Sequence, residues 1–393
     1  MSRLQIYRGR ERAAVRLADL LIAPLRVLPH RRKRDRVERV LVLRLERIGD
    51  LLMTLEAIRD ARRAWPDAEI DLAVGRWNEG LARLIGDVTT VTIADAPWLA
   101  RDDRSATWPR LFAAARRWRK RRYDLVINIE PDIRSNGLAW MTGAPERVGY
   151  HSAGGGAFLT DAVDYDPSRH VSDNARLIVA RAAGRSAPTP DTERVRLAVP
   201  ATAIARARAT LDRTDGPLVG IHASGGRQSK QWHLDRFAEV ARALIDTRGA
   251  TIVLTGSAND SAQVDEVARR IGSSRVVRAD TALDLPTMAA LLGSLDLFVS
   301  SDTGPMHLAA AVGTPVVALF GPADPRRYGP RAATEHILRV DLPCSPCGQV
   351  RLPPVRCRGH VPDCMDGITA AAVIARAVQV IDAHLRAARP EPA

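Results

Sequence analysis

Aromatic residues make up only 4% of this 393-residue chain. Its cores must therefore rest on Leu, Val, Ile and Ala, and the stacking surfaces that favour nucleic-acid binding are scarce. No apolar run approaches the roughly 18 residues needed to cross a bilayer. A secretory signal peptide's plan is also missing. The apolar stretch from Ala13 to Leu28 is broken by Arg16, Asp19, Pro24 and Arg26, and no small-residue cleavage site precedes the basic run after it. A cytoplasmic protein is expected. Neither a Walker loop nor a G-x-G-x-x-G fingerprint occurs, which argues against a nicotinamide enzyme. Lysine is scarce, with three residues beside 55 arginines, and the four cysteines all fall between Cys344 and Cys364.

What is present starts with charge. The formal net charge is +13, which speaks of partners and not of fold. Anionic lipid or a phosphorylated saccharide suits it, and nucleic acid is not expected. Residues 1–38 form a preamble in which Leu17, Leu20, Leu21, Leu25 and Leu28 recur at helical spacing. The run His30-Arg31-Arg32-Lys33-Arg34-Asp35-Arg36 follows. This segment reads either as an interfacial anchor or as a surface helix packed on its own domain.

From residue 39 the texture becomes alternating α/β. Expected strands are Val40 to Leu45, Ile70 to Val74, Leu125 to Ile129, Leu218 to His222, Thr251 to Thr255, Leu295 to Ser300 and Pro315 to Phe320. Helices are expected from Asp50 to Trp65, Trp108 to Arg122, Leu234 to Thr247, Asp260 to Ile271 and after Asp302. Strands alternating with helices imply doubly wound parallel sheets. A proline-bearing stretch from 185 to 216 separates two such domains, 39–190 and 191–393. Ligands of such sheets sit outside the strands' carboxyl ends, and with two facing sheets the cleft between domains is the expected site.

Chemistry-bearing residues follow those strand ends. Ser301 through His307 opens a helix, where free N–H groups and the helix dipole favour phosphate. The alternative is an Asp or Thr N-cap. Gly225-Gly226 with Lys230 also reads as a phosphate loop, and its ammonium departs from the chain's arginine habit. Asp50 sits at the first helix's N-terminus, as a proton acceptor or as a cap. Cys344-x2-Cys347-x9-Cys357-x6-Cys364 has the form of a closed tetrathiolate site for structural Zn²⁺ or iron in the loop 344–364. Reduced, unligated thiols are the alternative.

Taken together these segments resemble glycosyltransferase family 9, the ADP-heptose:lipopolysaccharide heptosyltransferases, over residues 38 to 385. Leu43 through Asp50 with Leu55-Glu56-Ala57-Ile58 is similar to the family's first strand, loop and helix. Ser301-Asp302-Thr303-Gly304-Pro305-Met306-His307 is similar to its most specific segment, and Ser229-Lys230-Gln231-Trp232 to its lysine motif. The resemblance implies a GT-B fold with two facing Rossmann-like domains, inversion at the anomeric carbon and no metal for catalysis. It implies Asp50 as base and Lys230 as the cation on the donor diphosphate. It further implies Asp302, Thr303, Gly304 and His307 at the donor, with Asp260 on its ribose, and the phosphate-loop residues Gly225 and Gly226 and the adjoining Pro305 are expected there with them.

The implied partners are ADP-heptose, an acidic saccharide on lipid A, and the anionic inner leaflet, with peripheral attachment there. The arginine-rich stretch Arg101, Arg104, Arg110, Arg116, Arg117, Arg119, Lys120, Arg121 and Arg122 either fits such an acceptor or is a solvated helix face. Some relatives acting on autotransporter proteins carry a similar iron-binding cysteine loop, so a protein acceptor is a second expectation. A donor other than ADP-heptose, a non-catalytic membrane-associated relative and a GT-B-like epimerase also stay open. The epimerase would need acid/base groups on both sides of one sugar, and only Asp50 has a clear role of that kind.

Overall fold

The computed structural model describes residues 9–27, 36–100, 106–190, 195–211, 216–280, 283–331 and 335–388. The chain divides into two compact units, Met1–Val195 and Arg196–Ala393. Each holds one six-stranded sheet in which every pairing is parallel.

The first unit's strands are β1 (Arg39–Leu43), β2 (Glu69–Val74), β3 (Thr90–Ile93), β4 (Leu125–Asn128), β5 (Glu146–Tyr150) and β6 (Asp161–Val163). The second unit's are β7 (Leu218–His222), β8 (Thr251–Thr255), β9 (Val276–Ala279), β10 (Leu297–Ser301), β11 (Val316–Leu319) and β12 (Glu335–Leu338). The spatial orders are β3-β2-β1-β4-β5-β6 and β12-β11-β10-β7-β8-β9. Both run 3-2-1-4-5-6 within their unit, the Rossmann order. The chain reverses its direction of winding between β1 and β4, and again between β7 and β10. Those two crevices are where such sheets bind ligands.

The central strands are continuous apolar runs because helices cover both faces. Val40, Leu41, Val42 and Leu43 of β1 are all buried. Leu41, Leu43 and Val126 meet Leu111, Ala114, Ala115 and Trp118 of the helix Trp108–Arg121. In the second unit Val219, Ile221 and Leu254 meet Phe237, Val240 and Leu244 of the helix Leu234–Arg248, and Trp232 fills the same core.

The helix expected from Asp50 to Trp65 is two helices, α2 (Ile48–Leu52) and α3 (Leu55–Ala64). Thr54 breaks it: its N–H at 2.9 Å and its hydroxyl at 2.6 Å both donate to Leu51 O. That hydroxyl competition for the backbone is common in Thr and Ser. The basic helix ends at Arg121, because Arg122 takes a left-handed φ of 55°. Arg110, Arg116, Arg117, Arg119, Lys120, Arg121 and Arg122 are exposed, while Arg101, Arg104 and the run from His30 to Asp35 lie outside the described residues. The preamble is helical as α1 (Gly9–Ile22), followed by a 3-10 turn Ala23–Val27.

Candidate active site

At the first crevice, β1 runs into Arg44 and Leu45, and β4 into Ile129 and Glu130. A guanidinium and a carboxylate are thus buried side by side below the sheet's rim. Arg44 Nη1 stands 3.6 Å from Glu130 Oε1, and both side chains are 4% exposed. Arg44 also reaches the α2 turn. Its Nε donates to Asp50 O at 3.0 Å, and its Nη2 lies 3.5 Å from Asp50 Oδ1. The Asp50 side chain is 35% exposed, so its carboxylate meets solvent on one side and the buried cation on the other. The N-cap of α2 is Arg47, and Asp50 is three residues on, inside the helix. The capping alternative for Asp50 therefore does not describe its position.

Burial pushes the Glu130 carboxyl up to about 8, with Arg44 opposing and Glu46 and Asp50 adding to the rise. Burial also pulls the Arg44 guanidinium down, but Glu130, Asp50 and Glu46 together hold it above its ordinary value. Two neighbouring polar groups are paired within the fold. Glu46 N donates to Glu130 Oε1 at 3.0 Å, and Asn128 Nδ2 donates to Asn136 Oδ1 at 2.7 Å.

At the second crevice, the loop after β7 doubles back. A Cβ at Gly225 would lie 2.8 Å from the backbone of Gln231, and Gly226 has a φ of +61°, so both positions require glycine. The loop ends in the 3-10 turn Gln228–Lys230. Lys230 Nζ stands 2.5 Å from Asp302 Oδ2 and 3.4 Å from Asp302 O, on the segment leaving the adjacent strand β10.

The helix Gly304–Val312 begins next, with Thr303 at the N-cap and Pro305 in the first turn. Neither Asp302 nor Thr303 caps it. The Asp302 carboxylate faces Lys230, and Thr303 Oγ1 pairs with Ser300 Oγ at 2.9 Å. The N-cap alternative for this segment thus fails on geometry. His307 is buried one turn inside. An ammonium therefore sits over a helix start that no side chain caps, an arrangement suited to a diphosphate.

Asp260 ends the 3-10 turn Ala258–Asp260 after β8 and closes a capping box with Ser257, whose N–H and hydroxyl donate to Asp260 Oδ2 at 2.8 and 2.6 Å. Burial works to raise its carboxyl, but hydrogen bonds from Ser257 and Ser224 and the nearby His222 bring it below the ordinary range. His222, at the end of β7, is lowered by burial, with its Nδ1 3.1 Å from Thr255 O.

The cysteine loop adjoins this cradle within the second unit. Ser229 Oγ, next to Lys230, donates to Val350 O at 3.3 Å. Ser345 Oγ donates to Gly321 O, and Gly348 N to Pro322 O, both at 2.8 Å. Cys344 and Cys347 are exposed, Cys357 is half-buried and Cys364 is buried. Burial pushes the Cys364 thiol up to about 11, and the charges of Cys347, Cys357 and Cys344 add to the rise. Among the described residues no three His, Cys, Asp or Glu side chains stand in a metal-holding arrangement.

The description of glycosyltransferase family 9 (heptosyltransferase) matches residues 111–352. The chain belongs to that family. It is a glycosyltransferase, and lipopolysaccharide heptosyltransferase 1 of Pseudomonas aeruginosa is 26% identical to it over 333 residues, covering 79% of this chain and 86% of the relative. Among solved structures, E. coli ADP-heptose lps heptosyltransferase II superposes with a TM-score of 0.74 at 20% identity, covering 89% of this chain and all of the other. The iron-containing dodecameric heptosyltransferase TibC of enterotoxigenic E. coli, solved with ADP-D-β-D-heptose, gives 0.56 at 15%, covering 91% and 80%. The two Rossmann units therefore belong to the GT-B class of this family.

Sequence reasoning assigned no role to Arg44 or Glu130. One signal was available, a charged residue closing an otherwise apolar strand run, but its partner lies 86 residues away and only the β1–β4 pairing brings them together. In sequence His222 likewise reads only as the last residue of a strand.

Proposed function

We propose that this family 9 enzyme transfers a heptose from ADP-heptose, with inversion, to an acidic lipid-linked saccharide of the lipopolysaccharide inner core. The observation that carries this reading is the Lys230–Asp302 pair over an uncapped helix start at the second unit's switch point. The relatives' names support the sugar and the acceptor, and a neighbour solved with ADP-D-β-D-heptose supports the donor.

In the proposed reaction the acceptor oxygen attacks the anomeric carbon while the bond to the diphosphate breaks. Asp50 of the first unit takes the hydroxyl proton. Lys230 and the N–H groups at Gly304 and Met306 receive the charge growing on the departing ADP. Arg44 holds Asp50 in place, and Glu130 holds Arg44. Catalysis needs no metal. A lipid-linked acceptor puts the reaction at the cytoplasmic face of the inner membrane. Incubation with ADP-heptose and a lipid A-linked acidic saccharide should release ADP and add one heptose to the lipid, seen by mass spectrometry. Equal turnover of a uridine diphosphate sugar would overturn the donor assignment.

We also propose that the loop 344–364 takes up one Zn²⁺ or iron ion as a structural tie. Four soft thiol donors in one pinned loop support it, and the loop would have to draw them closer than they stand here. Elemental analysis of purified protein should find about one equivalent, and Cys357→Ser should lose it. Protein that is fully folded and metal-free as isolated would defeat the idea.

A further inference from the structure

The helix α1 is docked with its leucines outward. Its inner side is fixed by Asp19, whose Oδ1 accepts from Gly155 N at 2.6 Å, and by Val15, packed so closely on Gly154 that a Cβ there would collide with it. The opposite side carries Leu17, Leu20 and Leu21, which are 60%, 72% and 74% exposed. Spaced i, i+3 and i+4, they form one stripe. A helix serving only to cover its own domain buries such a stripe. Here the polar anchor faces the protein and the apolar stripe faces out.

Three features say what covers the stripe. Arg10, Arg16 and Arg26 are exposed on α1 and the turn after it. In sequence, residues 1–38 hold eleven Lys and Arg against four Asp and Glu. Leucines flanked by arginines match an anionic lipid surface, with apolar side chains at the acyl boundary and cations among the headgroups. A second copy of this chain would bury the leucines but bring two such cationic segments together. Close by, α1 rests on the turn Gly156–Phe158. The Phe158 ring lies 5.9 Å from that of Trp140, which is 41% exposed. Tryptophan is favoured at a headgroup layer.

We infer that α1 is an interfacial helix that lays Leu17, Leu20 and Leu21 into an anionic membrane surface and so holds the enzyme there. This gives the proposed lipid-linked acceptor reading its means of attachment and rests on it for purpose. Vesicle binding is measured without donor or acceptor, so its failure and a failure of heptose transfer show separately. The full chain is co-sedimented with vesicles of phosphatidylglycerol and phosphatidylethanolamine, and with pure phosphatidylcholine.

Wild type should pellet with the anionic vesicles, be released by high salt, and bind phosphatidylcholine poorly. Leu17→Ser/Leu20→Ser/Leu21→Ser should weaken anionic-vesicle binding at least about tenfold with an unchanged melting temperature. Leu20→Asn alone, with a smaller loss in the same direction, keeps the test open if the triple variant does not fold. Equal binding by variant and wild type would overturn the inference. So would equal binding to the two lipids, or a wild-type dimer in free solution that the triple variant makes monomeric.

Discussion

Exchange of Asp50 for asparagine is expected to lower the kcat of heptosyl transfer by about 10²–10⁴-fold, the usual worth of a positioned general base. The amide keeps the size and loses the proton acceptor. Donor KM should change little, because Asp50 belongs to the first unit and the proposed cradle to the second. Arg44→Met carries the argument one residue deeper. It removes the buried cation that reaches both the main-chain oxygen and the carboxylate of Asp50. Its kcat should fall in the same direction with donor KM again steady, and Arg44→Lys should recover part of the loss. If Asp50→Asn turns over at the wild-type rate, Asp50 is not the base. If that variant is dead while Arg44→Met is fully active, Asp50 stands as base and Arg44 is only part of the core.

Lys230→Ala should lower kcat by about 10²–10³-fold, the cost of removing one preorganised donor from developing negative charge. Unlike Asp50→Asn, it should also weaken ADP binding, which calorimetry reads directly. In the free chain this ammonium is balanced by Asp302 at 2.5 Å. Donor binding then brings a diphosphate to a cation already held by its partner, with less entropy to lose in ordering it. Lys230→Arg keeps the charge but not the compact point geometry and should recover only part of the rate. A Lys230→Ala enzyme with unchanged kcat and unchanged ADP affinity would take the lysine out of the mechanism.

Much of this site was legible in one dimension because a parallel strand ends where ligands bind. Once Leu218 to His222 and Leu295 to Ser300 read as strands, the loops holding Lys230 and Asp302 had to open on the same edge of a sheet. Their adjacency was not legible. It depends on β7 and β10 being neighbours, 72 residues apart at the Lys230–Asp302 contact. The same holds for Arg44 and Glu130. Burial pushes the Glu130 carboxyl up, and burial is a property of the folded neighbourhood and not of the strand that carries it.

Local errors have local causes. The break at Thr54 is a hydroxyl bonding its own turn, a choice open to any threonine and taken here because Leu51 O is in reach. The preamble shows the division most clearly. Spacing alone gave α1 a leucine stripe and left two readings, packed cover or interfacial anchor. Which side of a helix faces its own protein depends on partners outside the helix, here Gly154 and Gly155.

By itself the sequence determined the class of fold and the alternation that builds it, and it marked candidate phosphate-binding residues at strand ends, because periodicity and residue chemistry act over a few neighbouring positions. Only the tertiary structure decided which strands adjoin, which charges share a buried site and which way α1 turns. Those outcomes depend on contacts between segments far apart in the chain, where burial, not local preference, sets the free energy.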